Sequence, residues 1–137
     1  MNSYRIDEIE VGLQHTLEYQ ITEEKMQAFC ALCGDENPLH VDEEYAKEKG
    51  YDSRVVYGML TSSFISTMVG MYLPGKYSVL QSVECKFLRP VYIGDSLVMT
   101  ATVEAVSKSV GQVVLDVVVE NQEKKKVLKG KVKVLVV

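Results

Sequence analysis

The chain has 137 residues, of which 47% are hydrophobic and 25% charged, and its formal net charge is −4. This is the length of one domain and the composition of an ordinary globular protein. No long basic face is evident, so a nucleic-acid partner is not expected, although local charges could still hold an anionic ligand. A single domain of this size has little room for a large ligand, which favours a pocket between two subunits.

The cysteines do not indicate disulfides or a metal site. There are three of them, and Cys30 and Cys33 form a single C-x-x-C. No βαβ pattern surrounds this motif and no second ligand pair accompanies it, so redox and structural zinc sites are both disfavoured. Residues 1–10 have no apolar segment of the secretory type. We therefore expect reduced cysteines in a cytoplasmic protein.

The first half of the chain carries one strand signal and two helix signals. Alternating apolar and polar residues predict a strand over 16–21. Thr22 can cap a following helix, and Gly34 can end it because glycine tolerates the left-handed conformation. A turn-rich segment follows, after which Asp42 can cap a second short helix over about residues 43–49.

An uncharged stretch of 21 residues separates Arg54 from Lys76. Its length would suit a membrane span. Five serines and threonines, and a Pro-Gly pair near its end, argue against that interpretation. We predict instead a helix over residues 57–73 that is apolar or small nearly all round and buried on most sides.

The second half of the chain consists of valine-rich segments separated by turn signals at hairpin spacing, which predicts an antiparallel sheet. These segments are residues 77–92, 96–107, 111–121 and 126–137. The predicted fold class is α+β, with one long central helix wrapped by a curved antiparallel sheet. Residues 22–50 are expected to cover an edge of it.

Asp35 and His40 are the first candidates for chemistry. They lie five residues apart in a segment that Pro38 stiffens, and a loop of this kind can direct both side chains into one cleft. A carboxylate beside an imidazole is a working acid–base pair near neutral pH. The alternative is a purely local turn with a surface histidine. A metal site is not expected, since His15 is the only other histidine and lies in an unrelated segment.

Gly58, at the start of the predicted central helix, is a candidate binding point for a carbonyl oxygen. The first N–H groups of a helix have no intrahelical partners, and they lie at the positive end of the helix dipole. Glycine there would let a ligand approach closely. The alternatives are that Gly58 only relieves crowding, and that Ser62, Ser63 and Ser66 only bond back to their own helix.

Together these segments resemble the MaoC-like, R-specific enoyl-CoA hydratase family of the hot-dog fold. The family motif contains an aromatic residue, a small residue, Gly-Asp-x-Asn-Pro, an aliphatic residue, His, and then Ala or Ser. The matching positions here are Phe29, Cys33, Gly34, Asp35, Asn37, Pro38, Leu39, His40 and Ala46. The similarity continues at residues 56–60, 87–91 and 94–95, and so covers most of the chain as one hot-dog domain over 1–137.

The resemblance implies (R)-specific, reversible hydration of a short-chain trans-2-enoyl-CoA, a hydro-lyase reaction of fatty acid metabolism that needs no cofactor or metal. In this family Asp35 and His40 would position and deprotonate water, and one of them would return a proton to the α-carbon. The Gly58 N–H would polarise the thioester carbonyl.

The resemblance also implies a substrate-binding or supporting role for Ser66, Asn37 and Tyr57. Ser66 corresponds to a serine that supports the site through hydrogen bonding, and Asn37 to a residue that holds the loop. Tyr57 is a departure, because many relatives have histidine before the Gly-Met pair. Tyr57 could change the shape of the pocket or the hydrogen bonds around it.

The resemblance further implies a homodimer or higher homo-oligomer, with the acyl-CoA in a tunnel near the subunit interface and no membrane or nucleic-acid partner. A stand-alone domain suggests an acyl chain of C4 to C6. Three alternatives remain open: an acyl-CoA-binding domain without catalysis, a hot-dog thioesterase, and a 3-hydroxyacyl-carrier-protein dehydratase. Arg54, Lys76, Lys86 and Arg89 are candidates for holding the CoA phosphates.

Overall fold

A five-stranded antiparallel sheet curves around one central helix in the computed structural model, which describes residues 1–137. The strands are β1 (Gln14–Gln20), β2 (Ser78–Phe87), β3 (Ser96–Ser107), β4 (Gln112–Glu120) and β5 (Lys126–Val136). The helices are α1 (Glu23–Cys33), α2 (Pro38–Val41), α3 (Glu43–Glu48) and α4 (Gly58–Thr67). A 3-10 turn, Ile6–Glu8, precedes β1, and a π-helical turn, Met68–Tyr72, continues α4.

The short helices begin and end at the predicted signals. The Thr22 hydroxyl accepts a hydrogen bond from the Lys25 N–H at 3.2 Å and caps α1. Gly34 ends that helix in the left-handed conformation, with φ 77°. Asp42 caps α3 by accepting from the Tyr45 N–H at 3.1 Å. Each signal acts locally, which is why the sequence alone is enough to place these ends.

The strands follow the order β1-β3-β4-β5-β2, and all neighbouring pairs are antiparallel, as predicted. Register shifts between Leu80 and Ser82 and between Val103 and Ala105 mark bulges, which bend the sheet around the helix. The strand predicted over 77–92 is ten residues long and ends at Phe87. Beyond it, Pro90 lacks the N–H that strand pairing requires.

The central strand β4 alternates strictly between the two faces of the sheet. Its core-facing side chains are fully buried: Val113, Leu115, Val117 and Val119. They belong to one hydrophobic cluster with the α4 residues Leu60 and Ile65. The sheet therefore packs on one face only, against α4.

The prediction for the central helix was right in extent and right for most of its surface, but one side of the helix is open. Residues 58–72 are helical, but the last five form a wider π-helical turn. Met59, Ser63 and Ser66 are exposed, with Met59 66% exposed, because the sheet covers only one side of α4. No helix of the structure is long and apolar enough to cross a bilayer.

A pair of substitutions on β4 tests this one-sided packing. Val117→Ala should lower the free energy of unfolding by about 2–3 kcal/mol, since it removes buried methyl groups and leaves a cavity. Val118→Ala, on the opposite face of the same strand, should cost less than about 1 kcal/mol. Denaturant unfolding of both variants checks the difference, and equal losses would contradict the assigned faces.

Candidate active site

A cavity of about 1020 Å³ lies between α4 and β2. One wall is the core-facing side of β2, where Leu80, Val83 and Phe87 line the cavity. These residues pair with buried positions of β5, yet each is 43–52% exposed because α4 covers them only in part. The cavity is therefore the open space that the one-sided packing of α4 leaves.

Five of the six residues singled out from the sequence line this cavity: Asp35, His40, Tyr57, Gly58 and Ser66. The sixth, Asn37, does not. Its side-chain oxygen accepts a hydrogen bond from the Leu39 N–H at 3.0 Å and caps α2. This position agrees with a loop-holding role and places Asn37 away from direct contact with a ligand in the cavity.

Asp35 lies in the loop between α1 and α2. One of its carboxylate oxygens accepts from the Asn37 N–H at 3.0 Å, and the side chain is otherwise without a protein partner. Gly34 makes the sharp turn into this loop. The remaining carboxylate oxygen is thus free to accept a hydrogen bond from water or a ligand.

His40 is half-buried in α2, and a main-chain oxygen fixes its orientation. Its Nδ1 lies 2.6 Å from the Val55 carbonyl oxygen. A carbonyl oxygen can only accept, so Nδ1 carries the proton of the neutral ring and Nε2 is left as a bare acceptor. Val55 is itself held by Leu39, whose oxygen accepts from the Val55 N–H at 3.1 Å. The imidazole therefore presents a proton acceptor of defined position.

Tyr57 joins the two parts of the site. Its hydroxyl donates to the main-chain oxygen of Asp35 at 2.6 Å. Its ring centroid lies 4.2 Å from that of His40 and 4.8 Å from that of Phe29. Burial, together with the neighbouring Cys30 thiol, raises the pKa of Tyr57 far above its usual value, so the phenol stays neutral.

Gly58 begins α4 with free hydrogen-bond donors. No side chain caps the helix, and neither the Gly58 N–H nor the Met59 N–H has a protein partner. A Cβ at Gly58 would lie 3.0 Å from the Phe87 ring. Glycine thus avoids a tight contact with that ring, and the Gly58 and Met59 N–H groups are available to an oxygen placed in the cavity.

The hydroxyl groups of α4 divide into three kinds. Ser62 and Ser63 donate to main-chain oxygens of their own helix, at 3.0 and 2.6 Å, as packing residues do. Ser66 is exposed, lines the cavity and has no hydrogen bond. Thr61 is only 2% exposed, and its Oγ1 has no partner although it lines the cavity. Thr61 was not among the residues predicted from the sequence, and its one signal there is its position one turn after Gly58.

Of the four basic residues that are candidates for holding the CoA phosphates, only Arg89 lines the cavity. Arg89 lines the cavity and donates to the Lys126 carbonyl oxygen at 2.7 Å. Arg54 pairs with Glu23 and lies outside the cavity, as do Lys76 and Lys86. No group of three His, Cys, Asp or Glu side chains is placed to hold a metal ion, and the three cysteines are free.

Because the buried Thr61 hydroxyl has no hydrogen-bond partner, its removal should stabilise the protein. Thr61→Val should raise the free energy of unfolding by about 1 kcal/mol, because it removes a buried polar group without a hydrogen bond. Thr22→Val should lower it by about 1 kcal/mol, because the Thr22 hydroxyl caps α1. Chemical denaturation measures both, and destabilisation by Thr61→Val would mean that this hydroxyl has a partner in solution.

Comparison with known proteins places the chain in a family. The family model described as a MaoC like domain matches residues 7–127. An (R)-specific enoyl-CoA hydratase of Rhodospirillum rubrum is 37% identical over 97 residues, which cover 71% of this chain and 67% of that protein. A mitochondrial 3-hydroxyacyl-(acyl-carrier-protein) dehydratase of Arabidopsis thaliana is 40% identical over 74 residues, covering 54% of this chain and 43% of that one.

Comparison with solved structures supports the same family. An R-hydratase of Pseudomonas aeruginosa, in its unliganded form, superposes with a TM-score of 0.90 at 31% identity, covering 96% of this chain and 84% of that one. The predicted hot-dog fold is confirmed, and the expected hydro-lyase class is confirmed at the level of the relatives. The residue roles stay predictions. The chain belongs to the MaoC-like domain family.

Proposed function

We propose that this protein hydrates the double bond of a trans-2-enoyl-CoA to give the (R)-3-hydroxyacyl-CoA, and catalyses the reverse dehydration. One observation carries the proposal: the Asp35 carboxylate, the bare Nε2 of His40 and the free N–H of Gly58 face the same cavity. These are the two proton-handling groups and the oxyanion donor that the reaction needs. A relative named for this activity supports the R stereochemistry.

In the proposed reaction, the thioester carbonyl oxygen accepts a hydrogen bond from the Gly58 N–H. Asp35 and His40 hold a water molecule between them, and the pair takes one of its protons while its oxygen bonds to C3 of the substrate. The C2–C3 π electrons move toward the carbonyl, and C2 then receives a proton from one of the two residues. The net change is addition of one water, with the pair returned to its starting protonation.

The start of α4 supplies the electrostatic part of the mechanism. Negative charge develops on the thioester oxygen as the enolate forms, and an N–H donor at the positive end of a helix stabilises that charge more than it stabilises the ground-state carbonyl. Loss of one such donor in other enzymes typically costs about 10²- to 10³-fold in kcat. Gly58 also lets the ligand approach, because it has no Cβ.

We infer a short acyl chain, C4 to C6. The lining of the cavity includes the buried apolar residues Val56, Ile65, Val91 and Val127, which an acyl chain would contact. A series of enoyl-CoA substrates of increasing length tests this inference, with kcat/KM expected to fall beyond six carbons.

The free cysteines agree with the expected cytoplasmic location.

The second candidate function is dehydration of a substrate carried on a protein. The plant mitochondrial relative, named as a carrier-protein dehydratase, supports it. The same three groups would perform the chemistry, so only the carrier portion of the substrate differs. Comparison of crotonyl-CoA with the crotonyl thioester of an acyl-carrier protein separates the two, and a strong preference for the second would favour this candidate.

We further propose that two copies of the chain form the working unit. The sheet order leaves β2 at an edge with unpaired main-chain groups. The apolar side chains of this strand, among them Val83 and Phe87, are about half exposed. An uncovered edge with an apolar face is a template for pairing with another strand. A second copy would cover both, and would close the cavity from its open side.

If Asp35 and His40 act as proposed, substitution of either one should greatly lower the hydration rate. Asp35→Asn and His40→Ala should each lower the rate of crotonyl-CoA hydration by about two to four orders of magnitude. The loss of the enoyl thioester absorbance measures the rate. Asp42→Asn and His15→Ala are matched controls of the same residue types: Asp42 caps α3 and His15 stacks on Tyr72, both outside the cavity.

The controls should retain activity within about threefold of the unmodified protein, since asparagine caps helices as well as aspartate does. A near-native rate for Asp35→Asn or His40→Ala would remove that residue from the mechanism. Absence of hydration by the unmodified protein at high concentration, with both thioesters, would exclude the proposed function itself.

The proposed assembly predicts the effect of one charge on β2. Val83→Glu should convert a dimer largely to monomer at micromolar concentration, because the interface would have to bury an unpaired carboxylate. Val110→Glu, in the exposed turn between β3 and β4, should remain dimeric. Sedimentation velocity measures both, and a monomeric unmodified protein would contradict the proposal.

A further inference from the structure

The Tyr57 side chain contacts both proton-handling residues of the proposed site. Its hydroxyl donates to the main-chain oxygen of Asp35 at 2.6 Å, across 22 positions of sequence. Its ring packs on the imidazole of His40, with an interplanar angle of 31°. A change at the Tyr57 hydroxyl therefore reaches Asp35 through its main chain, while the Tyr57 ring can stay packed on His40.

The segment from Asp35 to His40, called the Asp35 loop here, is held differently at its two ends. Near His40, the loop is tied to Val55 by two hydrogen bonds, one from the imidazole and one to the Leu39 carbonyl oxygen. At the other end, Asp35 and Glu36 make no backbone–backbone hydrogen bond. The only other hydrogen bond at Asp35 is the local one from the Asn37 N–H. The bond from Tyr57 is thus the single long-range hydrogen bond of Asp35.

Tyr57 is itself fixed firmly enough to serve as an anchor. It is 2% exposed, and its ring lies against Phe29 as well as His40. Its main-chain oxygen accepts from the N–H groups of Leu60 and Thr61, in the first turn of α4. The hydroxyl therefore connects the Asp35 loop to the end of the helix where Gly58 presents its free N–H.

The hydroxyl is not placed to carry a proton in the reaction. Its hydrogen is directed to a carbonyl oxygen of the loop. Burial raises the pKa of Tyr57 well above its usual value, so it remains a neutral donor through the pH range in which an imidazole titrates. The remaining function for this hydrogen bond is geometric.

We propose that Tyr57 is a positioning residue. Its hydroxyl restrains the main chain of Asp35, so that the carboxylate keeps its distance from the His40 imidazole and from the Gly58 N–H that would bind the thioester carbonyl. The proposal rests on the proposed hydration reaction. Small misplacements of a catalytic group can cost as much as about 10²-fold in rate. A tether that restrains Asp35 should therefore affect turnover more than binding.

Tyr57→Phe tests the tether, because it keeps the aromatic contacts and removes only the hydroxyl. We expect kcat for crotonyl-CoA to fall about 10-fold while KM changes less than about twofold. In the Asp35→Asn background the same substitution should change kcat less than about twofold, since a residue that acts through Asp35 has nothing left to position.

Tyr19→Phe is the matched control. The Tyr19 hydroxyl is also part-buried and also donates to a main-chain oxygen, that of Thr61 at 3.1 Å, but Tyr19 lies outside the cavity. Its kcat should stay within about twofold of the unmodified protein. A Tyr57→Phe kcat within twofold of the unmodified protein, an equal loss in the Asp35→Asn background, or a rise in KM with kcat intact would each overturn the proposal.

Amide hydrogen exchange separates this proposal from the proposed function, because it needs no turnover. The hydrogen-bonded amides of this loop, those of Asn37, Leu39 and His40, should exchange about 10-fold faster in Tyr57→Phe, and no faster in Tyr19→Phe, while those of β4 stay unchanged in both. If the unmodified protein hydrates neither thioester, the proposed function fails and the exchange result still decides whether Tyr57 holds the loop. Unchanged exchange at these three amides would show that it does not.

Discussion

The site depends on the one-sided burial of α4. The five strands curve around the helix, but the core-facing residues Leu80, Val83 and Phe87 of the edge strand β2 stay about half exposed. The cavity lies where α4 leaves them uncovered, with Met59 and Phe87 exposed at its walls. Exposed apolar surface costs about 25 cal/mol for each Å², so the opening is favoured only when a ligand or a second subunit covers it.

The segment just before α4 organises the chemistry within that opening. Val55 accepts the hydrogen bond that selects the tautomer of His40, Tyr57 holds the main chain of Asp35, and Gly58 presents its N–H. Residues 55–58 thus hold the three groups of the proposed reaction in place. This segment is itself secured by the Val56 N–H, which donates to the Val91 carbonyl oxygen at 2.8 Å. The three groups should therefore move together if this segment moves.

The sequence predicts the parts of this arrangement that act locally. Caps at Thr22 and Asp42 and the turn at Gly34 depend on neighbours within four residues, and the strands depend on alternation along one segment. The open side of α4 was not predictable, because its apolar composition is the same whether a sheet, a partner or a ligand covers it. The contribution of Val55 was equally hidden, since it acts through a main-chain oxygen that every residue has.

Several unfavourable features coincide in the cavity. The Gly58 and Met59 N–H groups are unpaired, the Thr61 hydroxyl is the one buried side-chain polar atom without a partner, and apolar side chains of β2 are exposed. The buried Thr61 hydroxyl and the exposed apolar side chains each cost free energy in the isolated chain, and the two N–H groups are available to an acceptor. A ligand with a carbonyl oxygen on an apolar body would pair with the N–H groups and cover the apolar side chains together. An acyl thioester has both parts, which is the physical support for the substrate class proposed above.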